Sequence, residues 1–331
     1  MRSSDAAAGA VWHISSSHWQ FARLSELVDR VPWEAGSLWQ KLRAQTQHGL
    51  NTGALQSIET EAEYIEDGGI RFLVRVLANL SRKEKARKQQ GKTKPANPFL
   101  PYEQDLYVTD ISQTHLCLLN KFNVVNHHFL IVTRAYEPQE NWLTLADFEA
   151  LGRCLGEVDG LGFFNGGKVA GASQPHKHLQ VVPLAEMALP IEVAVELARE
   201  SAEKTATENA GVWRSPLLPF EHAIAPLDPS HSAASETDQS QLAQTQLTNY
   251  QKLLSAVGIH SATDWQGTQT AAYNLLCTRK WMMVVPRSRE EYADISVNSL
   301  GFAGSLLVKN REKLEQLKQL GPMKLLQLVG I

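Results

Sequence analysis

The segment Gly171-Ala172-Ser173-Gln174-Pro175-His176-Lys177-His178-Leu179-Gln180-Val181-Val182-Pro183 gathers the side chains of this chain best suited to chemistry on an anion. It opens with small and turn-forming residues and passes into an alternation ending in Val-Val, the pattern of a loop feeding a β-strand. Strand side chains alternate between faces, so His176, His178 and Gln180 share one face while Lys177, Leu179 and Val181 take the other. A neutral imidazole, with an ordinary pKa of about 6.5, can attack phosphorus near neutral pH without a separate base. A carboxamide such as Gln180 can donate an N–H to a non-bridging phosphate oxygen as charge develops there. Ser173 and the backbone N–H groups of Gly171, Ala172 and Gln174 can cradle neighbouring phosphates, because small residues let the main chain approach closely. Taken alone, His-x-His fits equally a metal pair or two solvated strand residues; only the full string narrows the reading.

The elements that must position these residues come from a chain of 331 residues, long enough for one large or two smaller domains. With 43% hydrophobic and 20% charged residues it has the composition of a soluble globular enzyme. A net charge of −3 gives no overall attraction to nucleic acid or an anionic membrane, so any phosphate-binding charge has to be local. Cys117, Cys154 and Cys277 are far apart in apolar surroundings and form neither a Cys-x-x-Cys motif nor a disulfide set. They predict a reducing compartment. No apolar run approaches the roughly 18 residues of a membrane span, and residues 1–10 lack a basic-then-apolar leader pattern. The expected location is the cytoplasm.

In chain order, helical spacing at Phe21, Leu24, Leu27 and Val28, and again at Leu38 and Leu42, predicts two helices separated by Pro32. Residues 58–64 and 70–77 predict a hairpin with a longer loop around Gly68-Gly69. Residues 82–94 are basic: Arg82, Lys83, Lys85, Arg87, Lys88, Lys92 and Lys94, opposed only by Glu84. Such a run is a solvated loop or a cationic flap over a polyphosphate, with Lys94 its foremost contributor. It has no interleaved aromatics for base stacking, which argues against nucleic-acid binding. Strands are predicted over 105–111, 114–121 and 124–134; within the last, His127 and His128 face opposite ways, so at most one joins the site. A helix over 143–158 precedes the turn Asn165-Gly166-Gly167, and another covers 190–207. Residues 228–246 are rich in Ser, Ala, Thr and Gln and predict a flexible linker. Two short strands, 271–277 and 281–285, then flank Thr278-Arg279-Lys280, and helices close the chain. Without βαβ alternation or a glycine-rich nucleotide loop, the fold class is α+β, an antiparallel sheet with packed helices.

His176-Lys177-His178-Leu179-Gln180-Val181-Val182 resembles the His-φ-His-φ-Gln-φ-φ pattern of the histidine triad superfamily, with Lys177 in place of an apolar residue. It is most similar to the diadenosine tetraphosphate phosphorylases, or ATP adenylyltransferases, where Gly-x-Ser-Gln-x-His-Lys-His-Leu-Gln is typical. Asn97-Pro98-Phe99-Leu100-Pro101, His128 to Arg134, Tyr273-Asn274-Leu275-Leu276, Trp281-Met282 and Pro286-Arg287 agree, so the likeness spans residues 45–331. It implies an N-terminal region, 1–190, carrying the histidine motif, and a C-terminal region, 191–331, completing the nucleotide site. The implied reaction is phosphorolysis of diadenosine tetraphosphate to ATP and ADP through an adenylylated His178, with His176 orienting the nucleophile and Gln180 stabilising the transferring group. The resemblance also puts Asn165, Asn274, Leu275, Leu276 and Met282 at the nucleotide, Lys280 and Arg287 near phosphates, and Gly171, Ala172, Ser173 and Gln174 around the polyphosphate. No metal is expected to make the nucleophile; magnesium enters with ATP. Related chemistries are adenosine phosphosulfate phosphorolysis and hexose-1-phosphate uridylylation, the latter weakened by the missing Cys-x-x-Cys. A non-catalytic nucleotide sensor is the alternative of a different class.

Overall fold

The computed structural model describes residues 33–78, 97–187, 189–205, 211–228 and 236–331. The helix expected before Pro32, the basic run with Lys94 and residues 229–235 of the expected linker lie outside the described residues.

Helix α1 (Leu38–Thr52) starts where the Glu157 carboxylate accepts from the N–H groups of Gly36 and Leu38, both at 2.8 Å, satisfying donors that a helix N-terminus leaves open. It stops at Gly53, in the left-handed conformation. Strands β1 (Thr60–Asp67) and β2 (Ile70–Leu77) form an antiparallel hairpin. Their connection is the two-residue turn Gly68-Gly69, both at positive φ, rather than the longer loop the sequence suggested. Strands β3 (Tyr107–Asp110), β4 (His115–Leu119) and β5 (Phe129–Thr133) follow, shorter than their apolar runs. Helix α2 (Leu145–Glu157) opens with a capping box between Thr144 and Asp147. Then come β6 (Gly160–Asn165), β7 (His178–Pro183), α3 (Glu192–Thr205), β8 (Ala223–Pro226) and α4 (Glu236–Ala256). The C-terminal part adds β9 (Tyr273–Cys277), β10 (Trp281–Pro286), a small hairpin of β11 (Glu291–Tyr292) and β12 (Ile295–Ser296), the single turn α5 (Ser299–Phe302), β13 (Ser305–Val308), α6 (Arg311–Leu320) and α7 (Pro322–Val329).

Helix α4 corrects the linker expectation for 236–246. Its polar composition conceals a stripe in which Ala243, Gln246, Tyr250, Leu253 and Leu254 are all buried. Among the described residues no helix is long and apolar enough to cross a membrane.

Eight strands form one sheet in the order β3-β4-β5-β7-β6-β9-β10-β8, antiparallel throughout. Helices α1, α2 and α4 cover one face, over a core that includes Leu179, Val181, Leu275, Met282 and Val284. The opposite face carries two apolar clusters. The larger joins β6, β9 and β10 to a three-stranded sheet, β1-β2-β13, and to α3, α6 and α7. The smaller comprises Phe99, Leu116, Leu118, Leu130 and Val132 over β4 and β5. Strand β7 runs between these two clusters, with Gln180 paired to Leu130 on one side and Phe163 on the other. The large sheet draws strands from both sides of residue 190, β3 to β7 before it and β8 to β10 after it.

Candidate active site

His176 precedes the regular strand, held by a single bridge to Pro138, and its side chain is completely buried. Asn97 Oδ1 accepts from the Phe99 N–H, so the Asn97 amide donates to His176 Nδ1 at 2.9 Å. The other ring nitrogen must then carry the proton, and Nε2–H donates to Thr133 O at 2.8 Å. With both nitrogens engaged, His176 has nothing left for substrate. Its carbonyl does the aligning: His178 Nδ1–H donates to His176 O at 2.8 Å, which leaves His178 Nε2 as the nitrogen with a free lone pair. Nε2 has no hydrogen-bond partner among the described residues. Phe99 packs against both imidazoles, with ring centroids 5.6 and 5.4 Å away.

Burial pushes the His178 pKa down to about 4, against the opposing pull of the His176 carbonyl that accepts from its Nδ1–H, with a smaller downward contribution from the His176 ring. The ring is therefore neutral and nucleophilic at pH 7. Gln180 shows a second fixed orientation. Asn120 Oδ1 accepts from the Phe122 N–H, so its amide donates to His128 Nδ1 at 3.2 Å; His128 Nε2–H in turn donates to Gln180 Oε1 at 3.0 Å. The Gln180 carbonyl is occupied and its NH2 group is open on the same face as His178. Burial also lowers His128 to about 4, keeping it a neutral donor.

Both histidines bind a proton in the unfolded chain below pH about 6.5 but resist it in the fold down to about 4. More protons are thus bound by the unfolded state across that window, and folding stability rises with pH through it. Urea midpoints measured between pH 4 and 7 are expected to climb steeply to about pH 6.5 and level off above it. A flat profile would mean that these rings are charged in the native protein.

The loop before the strand is set by Gly171, whose φ of +88° no side chain readily adopts and where an added Cβ would lie 2.8 Å from Val297 O. Ser173 is exposed, and the N–H groups of Ser173 and Gln174 have no partner among the described residues. Unpaired donors on the short loop that leads into β7 suit a polyphosphate. Asn165 reaches the same end of the sheet: its Oδ1 accepts from Asn274 Nδ2, Ser299 Oγ and the Ser299 N–H at 2.9, 2.7 and 3.0 Å, while its Nδ2 has no partner among the described residues.

Other expected contacts lie elsewhere. Leu275 and Met282 sit in the core beneath α2 and α4, on the face opposite His178. Leu276 shares the His178 face but is sealed in the larger cluster. Lys280 is exposed on the β9–β10 turn, at the end of the sheet where Gly160 pairs with Pro183, away from the row containing His178, Asn165 and Asn274. Arg287 and Asn274 are buried, with Arg287 NH1 donating to Asn274 Oδ1 at 2.6 Å; neither presents a polar group to a nucleotide. These residues matched a motif because they build the sheet behind the site.

Sequence reasoning missed Gln139. Fully buried, it accepts from the His178 N–H at 2.9 Å and donates to Asn165 O and His178 O at 2.9 and 3.2 Å, bridging β7 and β6 where their own ladder stops. Lys177 also carries more than its pattern suggested: Nζ, only 1% exposed, donates to Asp147 Oδ2 at 2.7 Å and to Trp142 O at 3.0 Å. Asp147 further accepts from His115 Nε2 at 3.1 Å. Burial works against its charge, yet the His115 and Lys177 donors hold the Asp147 carboxyl down at about 2.

Residues 29–200 match the Ap4A phosphorylase N-terminal domain, where Ap4A is diadenosine tetraphosphate. The chain belongs to the Ap4A phosphorylase family. Residues 216–331 of this family member match the ATP adenylyltransferase C-terminal domain. It is 30% identical over 305 residues to diadenosine 5',5'''-P1,P4-tetraphosphate phosphorylase 2 of Saccharomyces cerevisiae, covering 86% of this chain and 90% of the yeast protein. Protein APA1 of the same yeast is 26% identical over 309 residues, covering 87% and 91%. The crystal structure of yeast Ap4A phosphorylase Apa2 in complex with AMP superposes with a TM-score of 0.71 at 28% identity, over 90% of this chain and 97% of that one. The Apa2 complex with Ap4A gives 0.68 at 27% identity, over 90% and 98%. In this Ap4A phosphorylase family member the two matched stretches meet at β6 and β9, side by side in the large sheet.

Proposed function

We propose that this protein cleaves diadenosine tetraphosphate with inorganic phosphate to give ATP and ADP, reversibly, by two displacements at one imidazole. His178 Nε2 forms a bond to the α-phosphorus as the bond to the departing ATP breaks. A phosphate oxygen then attacks the same phosphorus, the P–N bond breaks, and ADP leaves with the neutral ring restored. The single observation supporting this reading is the His178 ring, with Nδ1–H committed to a backbone carbonyl and Nε2 free. That carbonyl also stabilises the cationic ring of the intermediate. Gln180 NH2 donates to a non-bridging oxygen as charge builds, and the open N–H groups at 173 and 174 hold the polyphosphate. The yeast relatives and the Apa2 complexes with Ap4A and AMP support the nucleotide class. Magnesium accompanies ATP as its counterion. We place the reaction in the cytoplasm, where three buried, unpaired thiols stay reduced.

The test is intact mass spectrometry after incubation with diadenosine tetraphosphate in the absence of phosphate. A gain of one adenylyl group, discharged as ADP when phosphate is added, is the expected result. Nucleotide binding with no covalent adduct would replace this reading by that of a sensor.

A further inference from the structure

Arg287 is a buried guanidinium with no carboxylate within ion-pair distance among the described residues. Its donors go to Val329 O, Arg289 O and Glu290 O, and one, NH1, goes to Asn274 Oδ1. An arginine can only donate, so it settles which end of the Asn274 carboxamide faces it. The Asn274 NH2 group is thereby turned toward Asn165 Oδ1, Ala170 O and Ser299 Oγ, at 2.9, 2.9 and 3.0 Å. Three donors on the Asn165 carbonyl fix that amide in turn, so its NH2 group is the end left for a ligand. Each amide could sit either way round by shape alone. Charge at one end of the row decides both.

We infer that Arg287, Asn274 and Ser299 are positioning residues for the transfer reaction: they set the Asn165 amide to present N–H, not C=O, to the nucleotide phosphate, and they seat the loop at 171–174. The second part rests on contact: the Gly171 position abuts Val297 O and Asn298, immediately before Ser299, and Asn274 holds the preceding residue through Ala170 O. The C-terminal region thus acts on the phosphate loop through amide polarity without its own side chains touching substrate. This inference rests on the reading of the site given above.

Asn274→Asp is the informative change because it alters polarity and leaves shape almost untouched. The carboxylate keeps Arg287 as partner, so the fold survives, but it has no N–H for Asn165 Oδ1 or for Ala170 O. Asn165 is then expected to turn its NH2 inward and offer a carbonyl to the phosphate. Phosphorolysis of diadenosine tetraphosphate should fall about 100-fold in kcat/KM, the scale of losing one donor to a developing anion, with the melting temperature unchanged or raised. Asn165→Ala should fall similarly, and the double variant should lose clearly less than the product of the two single losses, because Asn274 acts mainly through Asn165 and otherwise only through its hold on Ala170 O. Retained activity in Asn274→Asp, or losses that multiply in the double variant, would overturn the inference. Ser299→Ala, which keeps its backbone N–H on Asn165, is expected to lose only part of the activity; a loss exceeding that of Asn165→Ala would also overturn it. An inactive wild-type protein would instead sink the proposed reaction itself.

Discussion

Replacing His178 by alanine is expected to lower turnover of diadenosine tetraphosphate by more than about 10⁴-fold, because no second group can take the adenylyl transfer through the same two displacements. The neighbouring imidazole is no substitute. His176 has Nδ1 occupied by Asn97 and Nε2–H by Thr133, and His128 has both nitrogens engaged by Asn120 and Gln180. Release of ATP, followed by chromatography, checks the rate, and the covalent adduct should disappear with it. The ring is 3% exposed and packs on Phe99, so its truncation also leaves a cavity; circular dichroism and the melting temperature, measured beside activity, should show a folded protein of somewhat lower stability. A variant that keeps roughly a tenth of the activity would put the nucleophile elsewhere.

The second large effect is expected on stability and comes from the far side of the same strand. Lys177→Met removes the ammonium from between Asp147 and Trp142 O while keeping most of the side-chain volume. Asp147, 1% exposed, is left buried with only His115 and the Thr144 cap as donors. Breaking one partner of a buried pair costs about 3–5 kcal/mol, since the survivor's charge is uncompensated. Denaturant unfolding should show that loss, and Lys177→Met combined with Asp147→Asn should recover part of it. A cost below about 1 kcal/mol would show that the pair behaves like an exposed one.

Local patterning was enough to read strand β7 with its histidine motif, the helix that begins after Thr144 and the antiparallel character of the sheet, because periods of 2 and 3.6 residues and helix-start chemistry act within a few positions. Helix α4 was hidden for the converse reason: Ser, Thr and Gln dominate its exposed surface, and the buried stripe of Ala243, Gln246 and Tyr250 is thin. At the site, the residues on one strand were legible and their supports were not. Gln139 contacts His178 across 39 positions and Ser299 contacts Asn165 across 134. No spacing rule links such pairs. Asn274 and Arg287 stand out as motif residues, yet a motif marks a position without saying whether its side chain faces ligand or core. Met282 and Leu275 were assigned to the nucleotide for the same reason, and the pleat turns them to the other face.

The interleaving of β9 between β6 and β10 sets the order of events during synthesis. Strand β6 emerges from the ribosome with one edge bare, and its partner β9 is made only after α3, β8 and α4 have followed. Strand β2 likewise waits for β13, which follows β10 and the small β11–β12 hairpin. A nascent polypeptide carrying the complete histidine motif still exposes strand edges and the apolar faces flanking them, and it lacks Ser299 and Arg287. Such intermediates invite edge-to-edge association. Chaperone dependence should therefore persist until β13 has been made, and products truncated before it are expected to aggregate rather than to be partly active.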